Sequence, residues 1–235
     1  MGPTIILDKS SLQSLSRRSA RELGYYFYTN VPPVLLKEIV ADLELERMSV
    51  EEAQKAVTYI ARKAFPSDSI ANLDYYTLCI SDLLGGNVIM DGRPIVGGGR
   101  SVRADDGSLG VFVDLQVERE AALRWGWGHF SEQDLKFAIN WRKAVASIDL
   151  EADKRRLPTQ LRARSLSELQ EVVDFLMQRP ASQRFLLNQL SDFLQLPLYV
   201  REWTESRWRN NGFTSLQKFS PYAAYVLRVN LWFIE

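Results

Sequence analysis

Two acids carry the first hint of chemistry. Asp8 stands directly after the apolar run Thr4–Leu7, and Glu38 lies in the apolar stretch "PPVLLKEIVADL". Carboxylates are hard oxygen donors. A pair of them brought to one point would repel unless a cation such as Mg²⁺ or Mn²⁺ lay between, and Mg²⁺ binds oxygen while keeping several waters. Such an ion activates water and steadies the charge of a phosphodiester transition state. Each acid also has a plain reading. Asp is a favoured helix-capping residue, and a helix start follows Asp8 at once. Glu38 reads equally as a solvated acid on an amphipathic helix, and Asp42, four residues on, as a surface acid.

The elements that must position these acids are legible as an alternation. Residues 4–7 read as a buried strand, short, apolar and β-branched. "SSLQSLSRRSAREL" reads as one helix, capped by Ser10 or Ser11 and stopped by Gly24. "YYFYTNV" is strand-like by its aromatics, and Pro32–Pro33 suits the start of a second helix. Strand, helix, strand, helix predicts a parallel sheet with right-handed crossovers. Such a sheet gathers the ends of its strands at one edge, where ligands bind. Ser49 and Glu52 form a capping box for a further helix, and residues 69–84 look helical. Asp91-Gly92 and Asp106-Gly107 are hairpin signals, so residues 85–117 read as a small antiparallel insertion. A helix is expected over 132–148, capped by Ser131 or Asp134. Others are expected over 166–178, 182–195 and 198–210, with Pro180 and Pro197 between them. The fold class expected is α/β, one domain over 1–235, with a hairpin region at 85–117 and a helix-rich second half spanning 131–210.

"IILDKSSLQSLS", a second strand and "VPPVLLKEIVADL" together resemble the opening of PIN-like nuclease domains. The resemblance covers roughly residues 4–45. It implies a parallel sheet flanked by helices, Mg²⁺- or Mn²⁺-dependent cleavage of RNA or DNA, and catalytic and metal-binding roles for Asp8 and Glu38. It also implies one or two further acids, for which Asp82, Asp114, Asp192 and Glu235 are the candidates. Lys9, beside the strand acid, would touch a phosphate. Such domains serve in toxin, RNA-processing or defence systems. The alternative is a catalytically inert PIN-like module that docks a protein partner.

Other residues complete the picture. "REWTESRWRNNGF" interleaves Arg201, Arg207 and Arg209 with Trp203 and Trp208, a pattern that suits single-stranded nucleic acid and equally suits a helix with buried tryptophans and snorkelling arginines. Arg100, in "GGGRS", reads as a phosphate contact from a flexible turn, because the glycines lack the Lys-Ser/Thr ending of a P-loop. "DKRRLPTQLRARS" reads as a basic loop. His129 is the one histidine and Cys79 the one cysteine. With two such ligands in total a zinc site is excluded. His129 reads as packing beside Trp125 and Trp127, and Cys79 as a buried small residue. A lone cysteine rules out an intrachain disulfide and suits a reducing, cytoplasmic setting. The formal net charge is zero, which argues against a surface coated in basic residues but leaves room for local patches. No apolar run is long enough to span a membrane. The last stretch, Tyr222–Ile234, is strongly apolar with no stop signal. It suggests either a truncated chain or a face that a protein partner covers.

Overall fold

The computed structural model describes residues 3–45, 48–66, 69–97, 100–103, 107, 109–112, 117–147 and 165–234. The chain divides into two compact units where the sequence reads as one domain. The first takes residues 1–74 and 91–148, the second 75–90 and 149–235.

The first unit holds a parallel sheet of β1 (Thr4–Ile6), β2 (Tyr28–Val31) and β3 (Ser69–Ala71), in the order β1-β2-β3. Ile5 lies opposite Thr29, and Asn30 lies between Ile6 and Ile70. The buried strand is β2, where Thr29, Asn30 and Val31 are all covered. β1 is an edge strand: Thr4 is exposed, Ile6 is 63% exposed, and only the following Leu7 is buried. The apolar run therefore marks the strand correctly but not its burial, because an edge strand covers one side alone.

Around this sheet lie α1 (Lys9–Ser14), α2 (Arg17–Tyr26), α3 (Pro33–Val40) and α4 (Val50–Ala64). The single helix expected after β1 is two. Asp8 caps the first through the Ser11 N–H, and Leu15 ends it in extended backbone. Ser16 caps the second through the Ser19 N–H, and that helix runs on past Gly24 to Tyr26. The capping box of Ser49 and Glu52 starts α4 as expected. Residues 69–84, expected to be helical throughout, give β3 and then α5 (Tyr75–Leu83). A strand of three residues is too short to show its period.

β4 (Arg100–Arg103) and β5 (Leu109–Phe112) pair antiparallel, Arg100 opposite Phe112. At Asp91-Gly92 the turn forms, with the Arg93 N–H donating to Asp91 Oδ1 at 3.1 Å, but no strands flank it. α6 (Val117–Gly126) and α7 (Glu132–Ala146) finish the unit. Leu12, Val31, Ile39, Val57, Ile60 and Ala138 are at or below 2% exposure and make its core. Gly126 lets α6 lie close on α4: a Cβ there would sit 3.3 Å from Arg62 Cγ. Arg62 Nε donates to the Gly126 carbonyl at 2.6 Å across that contact.

The second unit is helical: α5 with α8 (Leu166–Gln178), α9 (Gln183–Phe193), α10 (Leu198–Asn210), α11 (Leu216–Phe219) and α12 (Pro221–Ile234). Leu83, Leu186, Leu190, Leu216 and Leu227 are almost fully covered, and Cys79 is buried among them as expected. The apolar stretch at 222–234 is α12. Its Ala223, Ala224, Leu227 and Leu231 fill this core, leaving Tyr225 and Trp232 partly exposed. One face of that stretch thus packs within its own unit. No helix among the described residues is long and apolar enough to cross a membrane.

One pair in the first unit sets an acid dependence. Asp134, in the first turn of α7, is mostly buried, which by itself raises its pKa. The Arg124 guanidinium, at 2.5 and 3.1 Å, and the Ser131 backbone and hydroxyl outweigh that burial and lower it to about 2. A carboxyl depressed on folding stabilises above its unfolded pKa and loses that contribution as pH falls through the folded value. Asp134→Asn should cost roughly 2 kcal/mol at pH 7 in urea denaturation. The gap to wild type should close between about pH 4 and pH 2; a gap that stays constant through that range contradicts the assignment.

Candidate functional site at the carboxyl end of the sheet

The polar groups near this end of the sheet are arranged around α3. Asp8 follows β1, Asp74 follows β3, Glu38 lies on α3, and Asp42 lies in the 3-10 turn Ala41–Glu44 that continues it. Asp42, expected on the surface, is 3% exposed. Its Oδ1 accepts from Lys9 Nζ at 2.6 Å and from Arg142, on α7, at 3.0 Å. Lys9 also donates to the Glu38 carbonyl at 3.3 Å, and Arg142 Nε to the Ala41 carbonyl at 3.1 Å. Asp74 is paired with Lys37 of α3 at 2.7 Å. A buried carboxylate is tolerated only when charge and hydrogen bonds compensate it, and these two acids are compensated.

Asp8 and Glu38 are not. Both are exposed, and among the described residues neither carboxylate has a Lys or Arg partner. Asp8 Oδ1 accepts the Ser11 N–H at 2.7 Å. The Ser11 side chain and then its backbone hold the Asp8 carboxyl below its ordinary pKa. The contact from Lys9 to the Glu38 carbonyl seats the turn bearing Asp8 against the helix turn bearing Glu38. Asn30, on the neighbouring strand, is a buried oxygen that sequence reasoning misses. It lies opposite Ile6 on β2, is 8% exposed, and its Oδ1 has no hydrogen-bond partner. Its signal in the sequence is a polar residue inside a central strand. Asp74 is hidden in the sequence because β3 reads as helix.

This donor set suits a hydrated ion such as Mg²⁺, which takes one or two carboxylates and keeps several waters. It does not amount to a full protein cage: among the described residues no three His, Cys, Asp or Glu side chains come together as a metal cluster. Of the further acids expected, Asp192 is paired with Arg201 at 2.7 Å and Asp82 is buried in the second unit. Burial raises the Asp82 pKa, and its Oδ2 accepts the Ala223 N–H at 3.0 Å at the start of α12. Both acids serve local structure. Asp114 and Glu235 lie outside the described residues.

The expected nucleic-acid contacts need correction in two places. Lys9 is spent on Asp42 and the Glu38 carbonyl rather than offered to a phosphate. Arg207 donates to the Leu83 carbonyl at 2.8 Å and the Asp82 carbonyl at 3.2 Å, and lies over the Phe219 ring at 4.3 Å. Its guanidinium holds helices together, as in the packing alternative. Trp208 is buried, donating Nε1–H to the Thr214 carbonyl at 2.6 Å, while Trp203 is 71% exposed. Arg209 is exposed and lines a pocket of about 290 Å³ with Arg184, Glu205, Trp208 and Phe213. The Arg100 side chain and the basic loop around 154–164 lie outside what is described. His129 and Trp127 are exposed, while Trp125, the other expected neighbour of His129, is buried.

Removing the compensated acid should differ from removing an open one. Asp42→Ala strands two cations and should destabilise by about 3 kcal/mol in chemical denaturation, the low end for a broken buried pair. Glu38→Ala should stay within about 0.5 kcal/mol of wild type. Equal destabilisation by the two would contradict this division. No family model, curated protein or solved structure matches the chain.

Proposed function

We propose that this protein is a metal-dependent nuclease of PIN-like type, hydrolysing phosphodiester bonds in RNA or DNA. One observation carries the reading. Around α3, Asp42 and Asp74 are neutralised by Lys9, Arg142 and Lys37, while among the described residues Asp8 and Glu38 have no cationic partner. An isolated pair of open carboxylates at the ligand-binding end of a parallel sheet is poor structural glue and a good half-shell for a hard cation.

In this reading Asp8 and Glu38 would hold Mg²⁺ or Mn²⁺. The ion would lower the pKa of a bound water and offset charge developing on the phosphate. Asp8, like any ordinary aspartate, is ionised at neutral pH, and its Ser11 contacts lower its pKa further. Lys9 positions rather than reacts: it ties the Asp8 turn to α3.

A second reading is a catalytically inert module that docks a protein partner. It is favoured by the absence, among the described residues, of a three-ligand cluster.

The test uses labelled single- and double-stranded RNA and DNA with Mn²⁺, Mg²⁺ or EDTA. Asp8→Asn is the informative variant, because Asn caps a helix as well as Asp does while removing the charge. Metal-dependent cutting by wild type should fall about a hundredfold or more in Asp8→Asn and in Glu38→Gln, a drop of roughly 3 kcal/mol in transition-state stabilisation. Cutting that survives both substitutions, or no cutting with any substrate and metal, removes the nuclease reading in favour of the inert module.

A further inference from the structure

A second charged feature of the first unit has no role in that reading. A pocket of about 510 Å³ opens between the start of α2 and the end of α4. Five cations line it, Arg17, Arg18, Arg21, Arg62 and Lys63, together with Phe65, and among the described residues no acid does. Arg18 is answered by Glu22 at 2.7 Å, on the helix surface. Among the described residues Arg17 and Arg21 have no ion-pair partner. They are four residues apart on α2 and therefore neighbours on one helix face, where like charges repel.

Three further facts make the positive charge costly to hold. α2 has no acid in its first turn, so Arg17 and Arg18 stand at the positive end of the helix dipole, where cations are disfavoured. Lys63 is 2% exposed and meets only the Leu15 carbonyl at 3.0 Å, the Gln13 carbonyl at 3.5 Å and the Tyr59 ring at 3.7 Å. Its polar contacts are satisfied, but among the described residues no carboxylate answers its charge. Arg62 is anchored by its Nε to the Gly126 carbonyl, which fixes its stem. The result is a concave cluster of guanidinium groups, with no acid among the described residues that line it, backed by a buried ammonium.

We propose that this pocket is a phosphate-binding site, taking a ligand that presents two or more phosphate charges together. Guanidinium groups match phosphate oxygens with paired N–H donors, unlike a point charge. The volume exceeds that of a single phosphate, and Phe65 adds an apolar wall beside the charged one. Successive backbone phosphates of a nucleic acid and the phosphate chain of a small phosphorylated molecule share this chemistry. The site stands apart from Asp8 and Glu38 and does not depend on their holding a metal.

Binding is therefore read in EDTA, where the metal reading plays no part. Anisotropy of a fluorescein-labelled single-stranded oligonucleotide forms one arm, and calorimetry with inorganic pyrophosphate the other. The variants are Arg17→Gln with Arg21→Gln, both exposed, against Lys136→Gln with Lys143→Gln, which removes the same charge from the exposed face of α7. Melting curves confirm that each pair is folded. The first pair should weaken binding about tenfold and reduce the salt slope for the oligonucleotide by about 0.7 for each phosphate that the protein no longer neutralises. The α7 pair should leave both unchanged. An effect in the oligonucleotide arm assigns the pocket to a nucleic-acid backbone, and one confined to pyrophosphate assigns it to a small phosphorylated ligand. Equal weakening by the two pairs, no change with the first, or no binding in either arm overturns the proposal.

Discussion

A single buried carboxylate ties the first unit together at the end where its chemistry would take place. Asp42 is withdrawn from water, and its charge is met by Lys9, 33 residues earlier, and by Arg142, 100 residues later. Neither cation is fully buried. The exchange therefore trades one costly desolvation for two charge-assisted hydrogen bonds. Each cation also donates to a backbone carbonyl of the same turn region, Glu38 or Ala41. The junction after β1, the end of α3 and the middle of α7 are thereby fixed to one another. The positions of Asp8 and Glu38 follow from that fixing, because each lies within a turn of one of the tied groups.

The same arrangement divides the acids. Near α3, evolution of the sequence could have left every carboxylate solvated or paired every one. It pairs Asp42 and Asp74 and leaves Asp8 and Glu38 open. Asp8 has structural work as the cap of α1, where it accepts from Ser11. Asn30 adds a buried oxygen without a partner on the central strand, the kind of unpaired group that native interiors seldom keep without a use. The Arg17–Lys63 cluster is the opposite case, cations gathered with no acid among the described residues that line the pocket. Open carboxylates and such a basic pocket in one unit are both features that stability alone would not select.

How much of this is legible in the sequence follows from the range of each interaction. The capping boxes at Ser49–Glu52 and Ser131–Asp134 are local, and both are present. The helices over 166–178 and 198–210 have clear punctuation and match closely. β1 and β2 are recognisable by composition, but which of them is central depends on sheet order, and no local pattern encodes that. β3 escapes notice because three residues show no period. The split after Leu15 is hidden because Asp8 and Ser16 each cap a helix while the serines between them look equally able. Asp42 looks like a surface acid because its partners are distant in the chain. Arg207 looks like a nucleic-acid contact because a sequence of alternating arginines and tryptophans does not say which side chain turns inward. The positions of Asp8 at the end of β1 and of Glu38 in the helix after β2 are legible, because the alternation of elements defines them.

The most direct test of the account is calorimetric titration of the full chain with Mn²⁺, with wild type beside the double variant Asp8→Asn and Glu38→Gln. The account predicts one site in wild type and affinity at least about tenfold weaker in the double variant, a difference of roughly 1.4 kcal/mol, with the Lys9–Asp42–Arg142 junction and the melting temperature undisturbed. Mn²⁺ binding of unchanged strength in the double variant, or no binding by wild type, would contradict it.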